Sequence, residues 1–282
     1  MKKFLIVAMI CLAFLACKQE KTVLVKKKAL PERRQPKKVA YEWQNAKKWL
    51  AKTTDQNAIK IALAVNRTDK ANFVKMDSVV IPIDLTGDIA YYLPFPFEVN
   101  ALENVDKIIF FSYPTQTFGA YENGVLIHTG PTNMGRKKDQ TPTGLFFTNW
   151  KAEETTSTFN DEWDLKWNFN IANKLGVGWH QYELPGYPAS HSCLRLQEKD
   201  ARYLYDWADQ WVLLDDDTIE VKGTPVIIFG AYDFGAPKPW SQLVKNPKAL
   251  KISEKEIAQQ VKPFLKNILT QQQKRVEYNK EK

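Results

Sequence analysis

Residues 178–195 read GWHQYELPGYPASHSCLR, and the interpretation of the whole chain starts from this stretch. It contains two of the chain's three histidines, His180 and His191, and the cysteine Cys193. A thiolate is the attacking form of cysteine, and a neighbouring imidazole can take the thiol proton and later return it to a leaving amine. Two prolines and a glycine between the histidines predict a loop, which allows His180 to fold back over Cys193. The stretch therefore predicts a cysteine nucleophile with a histidine base.

The same stretch resembles the signature of the L,D-transpeptidase catalytic domain, also called the YkuD type. That signature is a His, a spacer, and then Ser-His-Gly-Cys followed by an aliphatic residue and often Arg. Here residues 178–180 read Gly-Trp-His and residues 190–195 read Ser-His-Ser-Cys-Leu-Arg. The resemblance covers roughly residues 105–232. Further segments that match the family in the right order are 121–124, 130–132, 141–146, 200–207 and 223–226.

The resemblance implies a role for each matching residue. Cys193 is the implied nucleophile and His180 its general base and acid, while His191 supports the geometry of the site or the thiolate. Backbone amides near Ser192 and Cys193 are the implied oxyanion hole. Arg195 is the implied partner of a substrate carboxylate, because a guanidinium suits bidentate contacts. The supporting or substrate-binding residues that complete the implied site are Ser190, Ser192, Trp179, Thr143 and Gly144.

The chemistry implied by the family is acyl transfer on peptidoglycan stem tetrapeptides. A cysteine thioester forms, the terminal D-alanine leaves, and a neighbouring stem resolves the thioester into a 3→3 crosslink or a related attachment. The same cysteine could serve an L,D-carboxypeptidase or an endopeptidase. No cofactor, metal or nucleic acid is implied.

Two positions depart from the family pattern. Ser192 stands where the signature has Gly, and Gln181 stands where Gly commonly follows the first His. If the backbone needs a positive φ at residue 192, serine is unfavourable there and its side chain crowds the oxyanion hole. These departures motivate the second class of function, a non-catalytic lipoprotein that binds peptidoglycan with a degenerate site.

The segment 105–232 predicts a mostly β domain of the α+β class, a small sandwich or barrel with one helix after the nucleophile. Residues 107–113 predict a strand, and Asn123-Gly124 predicts a tight turn between strands 116–121 and 125–129. Residues 198–211 have helical periodicity. Two further predicted strands are 145–148 and 224–229.

The first seventeen residues predict a secretory signal of the lipoprotein type. Lys2 and Lys3 precede an unbroken apolar run that ends at Cys17, and the run is too short to cross a bilayer comfortably. The Leu-Ala-Cys ending resembles a bacterial lipobox, in which the cysteine is lipidated. Residues 18–40 are Lys-rich and predict a flexible tether. The expected location is the cell envelope, as a membrane-anchored lipoprotein facing the periplasm or cell wall.

The charge distribution argues against a nucleic-acid binder. The 282 residues carry a net charge of +8, but residues 18–38 and 238–282 each contribute +7, while residues 39–237 sum to −8. A nucleic-acid binder carries its basic patch on the folded domain, whereas basic flanks beside an anchor suit an anionic envelope surface. The hydrophobic fraction of 44% and the charged fraction of 26% exclude wholesale disorder.

Two flanking regions complete the predicted organisation. Residues 41–104 predict a small helical region, and its two helices with the run 80–82 resemble a LysM peptidoglycan-binding module without the usual first strand. Residues 233–282 predict a Pro-containing connector and an amphipathic helical tail, in which Ser253 and Glu256 fit a capping box and Pro263 splits the helix. The tail either docks on its own domain or binds a partner.

Other interpretations of the reactive residues stay open at this stage. Cys193 is the one cysteine outside the signal region, because Cys11 and Cys17 lie within it, and a buried inert thiol or a zinc ligand with the two histidines are alternatives. His128 lies on a predicted strand and is a structural rather than a catalytic histidine. Tryptophans 150, 163, 167 and 179 belong to the core or to a loop over the site.

Overall fold

The computed structural model describes residues 29–156 and 164–282. The predicted signal at 1–17, the lipidation site Cys17 and residues 18–28 of the predicted tether lie outside the described residues, as does Trp163. Within the described part of the chain, no helix is both long and apolar enough to cross a membrane.

The N-terminal unit has the order strand, helix, helix, strand, with one extra helical turn before the last strand. Its strands pair antiparallel, Tyr41 with Pro82 and Asn45 with Ser78. Asp55 caps the second helix, because its carboxylate accepts a hydrogen bond from the Asn57 backbone N–H at 2.8 Å. The elements are β1 (Tyr41–Asn45), α1 (Ala46–Lys52), α2 (Gln56–Val65), α3 (Lys70–Phe73) and β2 (Ser78–Pro82).

The strand β1 is an addition to the sequence-based prediction, which found no first strand in this unit. Its five residues lack a clear alternation, and they are held by a partner more than thirty residues away. The predicted tether also ends earlier than residue 40. The Lys37 backbone N–H donates to Asp84 at 2.7 Å, and the Arg34 carbonyl accepts from the Asp88 backbone at 2.8 Å. Residues from Arg34 onward are therefore docked on the folded body.

In the described part of the chain, the remaining strands form three sheets, of which two surround the stretch 178–195. The larger sheet has the order β5-β4-β3-β13-β6, and the second has the order β10-β9-β8-β7; β11 and β12 form a separate pair. The strands are β3 (Ile108–Ser112), β4 (Thr117–Glu122), β5 (Val125–Pro131), β6 (Gly144–Phe147), β7 (Lys151–Thr156), β8 (Asp164–Ala172), β9 (Val177–Gln181), β10 (Leu194–Leu196), β11 (Val212–Leu213), β12 (Ile219–Val221) and β13 (Pro225–Phe229).

The five-stranded sheet is buried on both faces. Ile109 and Phe111 of β3 point to one face and pack against β8, β9, β10 and the helix α4 (Glu198–Trp207). Ile108 and Phe110 point to the other face and pack against the segment 90–105 and the C-terminal helices. This period of two follows from strand geometry. The described architecture is thus a mixed α+β fold of stacked layers, and the predicted mostly β class is confirmed without a closed barrel.

Local turn and cap signals are realised where the sequence predicts them. Asn123 and Gly124 both have positive φ, 47° and 79°, as a two-residue hairpin turn requires. Pro263 separates α5 (Glu254–Val261) from α6 (Leu265–Glu281), and the Ser253 hydroxyl accepts from the Glu256 backbone at 3.1 Å. Short 3₁₀ segments lie at Ile89–Tyr91, Asn100–Leu102, Asn173–Leu175 and Pro239–Val244.

The C-terminal tail docks on its own domain. Ile257 and Val261 of α5 and Ile268 of α6 are buried in the same cluster as Phe110 and Phe229 of the five-stranded sheet. Burial of such side chains stabilises each by about 1.5–3 kcal/mol relative to exposure. Of the two predicted uses of the tail, docking is the one the structure shows.

Candidate active site

The parallel pairing of β9 with β10 brings the two ends of the deciding stretch together. His180 lies opposite Arg195, and Trp179 lies opposite Leu194. Because side chains alternate along a strand, Trp179 and Leu194 share one face and His180 and Arg195 share the other. Trp179 and Leu194 are fully buried in the core. Cys193 immediately precedes β10, so the register places it beside Gly178 and diagonal to His180, on the face away from the core.

The residues from Gln181 to Ser190 form the predicted loop, with no regular element between β9 and β10. Gly178 is needed where β9 passes β8, because a Cβ there would come within 2.4 Å of the Phe169 carbonyl oxygen. The parallel pairing of β10 with β9 brings the Cys193 end of the loop against β9.

The Cys193 thiol and the His180 imidazole are both electrically neutral near pH 7. Burial lowers the pKa of His180 from its usual 6.5 to about 4. The hydrogen bond to the Gln181 carbonyl opposes this lowering of the pKa, and the positive charge of Arg195 adds to it. Burial also raises the pKa of the Cys193 thiol, against the opposing effects of the Gly178 backbone and Arg195. The pair therefore rests as thiol and imidazole rather than as thiolate and imidazolium.

The tautomer of His180 follows from its hydrogen bond. Its Nδ1 lies 3.0 Å from the carbonyl oxygen of Gln181, and a carbonyl can only accept. Nδ1 therefore carries the proton and Nε2 is the basic nitrogen. The Cys193 thiol lies 3.7 Å from the Gly176 carbonyl oxygen, to which it donates a weak bond. Gln181 contacts the His180 ring through its backbone carbonyl.

The loop between β9 and β10, residues 182–193, carries the expected nucleophile Cys193 and is called the nucleophile loop. It is closed on itself by a short hydrogen bond. The Ser190 hydroxyl donates to the Cys193 carbonyl at 2.6 Å, and the Ser190 carbonyl accepts from the Arg136 backbone at 3.0 Å. Ser190 is 2% exposed. These bonds fix both ends of the four-residue segment 190–193, which is the supporting role the family resemblance implies for Ser190.

Ser192 adopts the left-handed backbone that its position predicts. Its φ is 81°, a region that favours glycine. The hydroxyl donates to the carbonyl oxygens of Asp139 and Gln140, at 3.2 and 3.3 Å. The Ser192 carbonyl accepts from the Thr141 hydroxyl at 2.8 Å. The side chain is therefore directed at the 139–140 turn rather than lying free over the nucleophile.

Thr141 is a site residue that the sequence-based assignment missed. Besides its bond to Ser192, its hydroxyl accepts from the Gly135 backbone N–H at 2.8 Å. The Gly135 carbonyl in turn accepts from the Tyr113 hydroxyl at 2.5 Å. Thr143 and Gly144, which the resemblance selected two residues further on, lie at the start of β6; Thr143 is exposed. Thr141 is the member of this segment that contacts the nucleophile loop.

The other predicted site residues divide between the site and the core. Arg195 is 9% exposed, and its guanidinium lies 4.4 Å from the centre of the Tyr182 ring. Burial lowers the pKa of His191, and the charge of Arg136 adds to the effect. Trp179 packs on Phe169 with ring centres 4.8 Å apart and has no exposed surface. Its position makes it a packing residue behind His180 rather than a substrate contact.

His128 is structural, as expected. Its Nε2 lies 3.0 Å from a carboxylate oxygen of the buried Asp200, and its ring stacks on Tyr203 at 4.1 Å. Among residues 29–156 and 164–282, no group of three or more His, Cys, Asp or Glu side chains could hold a metal ion.

Comparison with protein families finds one match, and it covers the region that holds this site. Residues 106–228 match the YkuD family, the L,D-transpeptidase catalytic domain. The matched segment is less than half of the chain and contains His180 and Cys193. It confirms the family resemblance that the motif around Cys193 predicts. The comparison with curated proteins found no match.

Solved structures with a similar fold include several L,D-transpeptidases. One from Stackebrandtia nassauensis is 24% identical, with a TM-score of 0.37, over 45% of this chain and 57% of that chain. One from Mycobacterium tuberculosis H37Rv is 20% identical, with a TM-score of 0.36, over 45% and 58%. L,D-transpeptidase 3 from Mycobacterium tuberculosis, in complex with a faropenem-derived adduct, is 20% identical, with a TM-score of 0.35, over 45% and 61%. The alignments span less than two thirds of each of these proteins.

Proposed function

We propose that the protein is an envelope lipoprotein whose Cys193 transfers peptidoglycan stem peptides through a thioester. The observation that carries the proposal is the pairing of a buried, neutral His180, its Nδ1 held by a carbonyl, with Cys193 on the adjoining strand end. A base with a lowered pKa and a fixed tautomer can accept a thiol proton only at Nε2. The family match at residues 106–228 supports the same chemistry.

In the first step, His180 Nε2 takes the thiol proton as the Cys193 sulfur attacks the carbonyl carbon of the third stem residue. The backbone amides of Ser192 and Cys193 stabilise the developing oxyanion. The C–N bond to the terminal D-alanine then breaks, and the proton on His180 passes to the leaving amine. A thioester remains on the enzyme and one D-alanine is released.

In the second step, the side-chain amine of a neighbouring stem attacks the thioester carbon. His180 takes a proton from that amine, the C–S bond breaks, and the thiolate recovers the proton. The product is a 3→3 amide crosslink or a related attachment. Water in place of the amine gives a carboxypeptidase, and an existing crosslink as donor gives an endopeptidase. The stem peptide's carboxylate pairs with Arg195, whose guanidinium carbon lies 4.4 Å from the centre of the Tyr182 ring.

The lipid anchor at Cys17 is a proposal that stands on the sequence pattern. Two acyl chains hold a protein firmly at a membrane surface, whereas one chain is marginal. Mass spectrometry of protein purified from a bacterial membrane fraction tests it: a diacylated Cys17 as the first residue supports the anchor. An unmodified chain cleaved at another site contradicts it.

The test of the catalytic proposal mixes the full-length protein with purified tetrapeptide muropeptides and follows products by mass spectrometry, with Cys193→Ala as the matched control. A dimer that has lost one D-alanine and depends on Cys193 supports transpeptidation. A tripeptide without dimer moves the assignment to the hydrolytic branch. Absence of both products and of an acyl adduct on the intact protein favours the non-catalytic binding alternative.

A further inference from the structure

The loop that joins His180 to Cys193 is held from outside the matched catalytic segment. Leu184, at its middle, is fully buried, and both of its backbone groups bond to the segment between α2 and α3 of the N-terminal unit. The Leu184 N–H donates to the Asp69 carboxylate at 2.6 Å. The Leu184 carbonyl accepts from the Thr68 hydroxyl at 2.9 Å and from the Asp69 backbone at 3.1 Å. Thr68 and Asp69 thus make three hydrogen bonds to one residue of this loop.

Asn133 extends this contact to both sides of the nucleophile. Its amide nitrogen donates to the Arg67 carbonyl at 3.1 Å, and its amide oxygen accepts from the Gly186 backbone at 3.1 Å. Its backbone pairs with Arg195 in both directions, also at 3.1 Å. One buried residue therefore links the N-terminal unit and the loop after His180, through its side chain, to the strand after Cys193, through its backbone.

Arg67, at the contact between the N-terminal unit and the loop, is both buried and in an unfavourable backbone conformation. It follows the end of α2 in a left-handed conformation, with φ of 56°, where helices usually place glycine. It is fully buried, and its guanidinium donates at 2.8 Å to three carbonyls: those of Ala64, Val65 and Thr115. Burial lowers its pKa to about 9. A buried cation in a left-handed conformation is unfavourable, and such strain concentrates where function requires it.

We propose that residues 66–69 are a positioning element of the active site, so that the N-terminal unit is a working part of the catalytic centre rather than a separate wall-binding module. This inference rests on the proposed roles of His180 and Cys193. The element fixes Leu184 and, through Asn133, the strand that follows the nucleophile. The loop it holds has no helix or strand of its own, so contacts from outside the loop must offset the backbone entropy that is lost when it is ordered.

The consequence concerns the alkylation rate of Cys193 and the turnover of substrate. These two rates usually change together, but release of the loop should change them in opposite directions. Burial in the closed loop raises the pKa of the Cys193 thiol. Releasing Leu184 lets the loop open, which exposes the thiol and lowers its pKa toward the ordinary value. Cys193 then reacts faster with a small alkylating agent, yet it turns over substrate more slowly because His180 and Cys193 lose their alignment.

The test compares Asp69→Ala with Asp55→Ala in the full-length protein. Both aspartates cap a helix of the same unit, but Asp55 makes its cap bond far from the loop, to Asn57. Thr68→Val and Thr68→Ser form a second, milder pair, since serine keeps the hydroxyl that bonds to Leu184 and valine removes it. The readouts are turnover of tetrapeptide muropeptides and the pH profile of iodoacetamide labelling at Cys193, resolved by peptide mass spectrometry.

We expect Asp69→Ala and Thr68→Val to lower turnover roughly 10- to 100-fold while labelling of Cys193 becomes faster and its midpoint moves to lower pH. Asp55→Ala and Thr68→Ser should keep both properties of the wild type. Unchanged labelling and turnover in Asp69→Ala and Thr68→Val overturn the inference, as do equal losses in Asp55→Ala. If the wild type itself has no turnover, the proposed function fails, but the labelling profiles still decide the positioning role.

Discussion

The strand β9 and the nucleophile loop each carry one histidine of the site, and the two histidines are held in different ways. His180 is 4% exposed, lies within a paired strand, and has its Nδ1 fixed by a carbonyl. His191 is half-buried on a loop. The cationic side chains of Arg136, Arg195 and Lys138 contribute to lowering its pKa. The proposed role of His180 as a base requires one geometry and one protonation state, and the paired strand with its carbonyl contact favours both.

The largest expected effect follows from replacing the strand histidine. His180→Asn keeps an amide that can bond to the Gln181 carbonyl but removes the basic Nε2. We expect muropeptide turnover to fall by about 10²- to 10⁴-fold, the usual contribution of a general base. The measurement is the initial rate per folded molecule. The control is His128→Gln, which changes the histidine paired with Asp200 and should leave the rate unchanged. A loss of less than tenfold in His180→Asn contradicts the assignment of the base.

The sequence predicted the features that depend on local residue types, and it missed the features that depend on contacts between distant residues. The hairpin at Asn123-Gly124 and the split at Pro263 depend on the conformational limits of the residues themselves, and both are where the pattern places them. The positive φ of Ser192 was predictable because the family has glycine there. Cys193 and His180 were identified because their types are rare in this chain and their spacing matches a known signature.

The residues that the sequence missed act through distant contacts. Asp69 and Leu184 are 115 residues apart, and Thr141 and Ser192 are 51 apart. Aspartate, threonine and asparagine are common in turns, so no local pattern marks these as parts of a site. The strands β7 and β8 were missed because their charged and aromatic residues lack a clean alternation, and β8 has register shifts against β9. Pairing partners, rather than intrinsic propensity, decide such strands.

A second expected effect concerns acid stability. The folded-state pKa of His180 is about 4 and its ordinary pKa is 6.5, so below pH 6.5 the unfolded chain binds more protons than the folded one. The stability due to the neutral, buried His180 is complete above pH 6.5 and is lost as the pH falls toward 4. The loss amounts to about 3 kcal/mol in the free energy of unfolding. Urea unfolding at pH 7, 5.5 and 4 measures it.

The control for acid stability is His180→Asn, which should lack this part of the pH dependence, while Cys193→Ala should retain it because its His180 is intact. Parallel curves for the wild type and His180→Asn mean that His180 titrates normally in the folded protein. The strand would then not distinguish it from the half-buried His191.

A smaller effect is expected for the loop histidine. His191→Gln keeps a neutral polar side chain of similar size next to Ser192, and the segment 190–193 is still closed by the Ser190 bond to the Cys193 carbonyl. We expect turnover to fall by about tenfold, the scale of a modest loss of alignment, with the acid limb of the rate profile in place. Rates measured from pH 4 to 8 test this. A loss as large as that of His180→Asn would make the two histidines equivalent in catalysis.

The smallest expected effect tests whether the loop tolerates its serine because of a compensating bond. At φ of 81° a non-glycine residue costs about 1 kcal/mol or more. The hydroxyl bond to the Asp139 and Gln140 carbonyls returns about 1 kcal/mol. Ser192→Gly removes both contributions, so the free energy of unfolding should change by less than about 0.5 kcal/mol.

Ser192→Ala separates the two contributions, because alanine keeps the backbone strain and loses the hydroxyl. It should lower the free energy of unfolding by about 1 kcal/mol in urea titrations at pH 7. A neutral Ser192→Ala, together with a Ser192→Gly variant that is more stable than the wild type, would show that the hydroxyl adds nothing. Ser192 would then lower the free energy of unfolding. The hydrogen bond from Thr141 to the Ser192 carbonyl alone would hold the residue in its left-handed conformation.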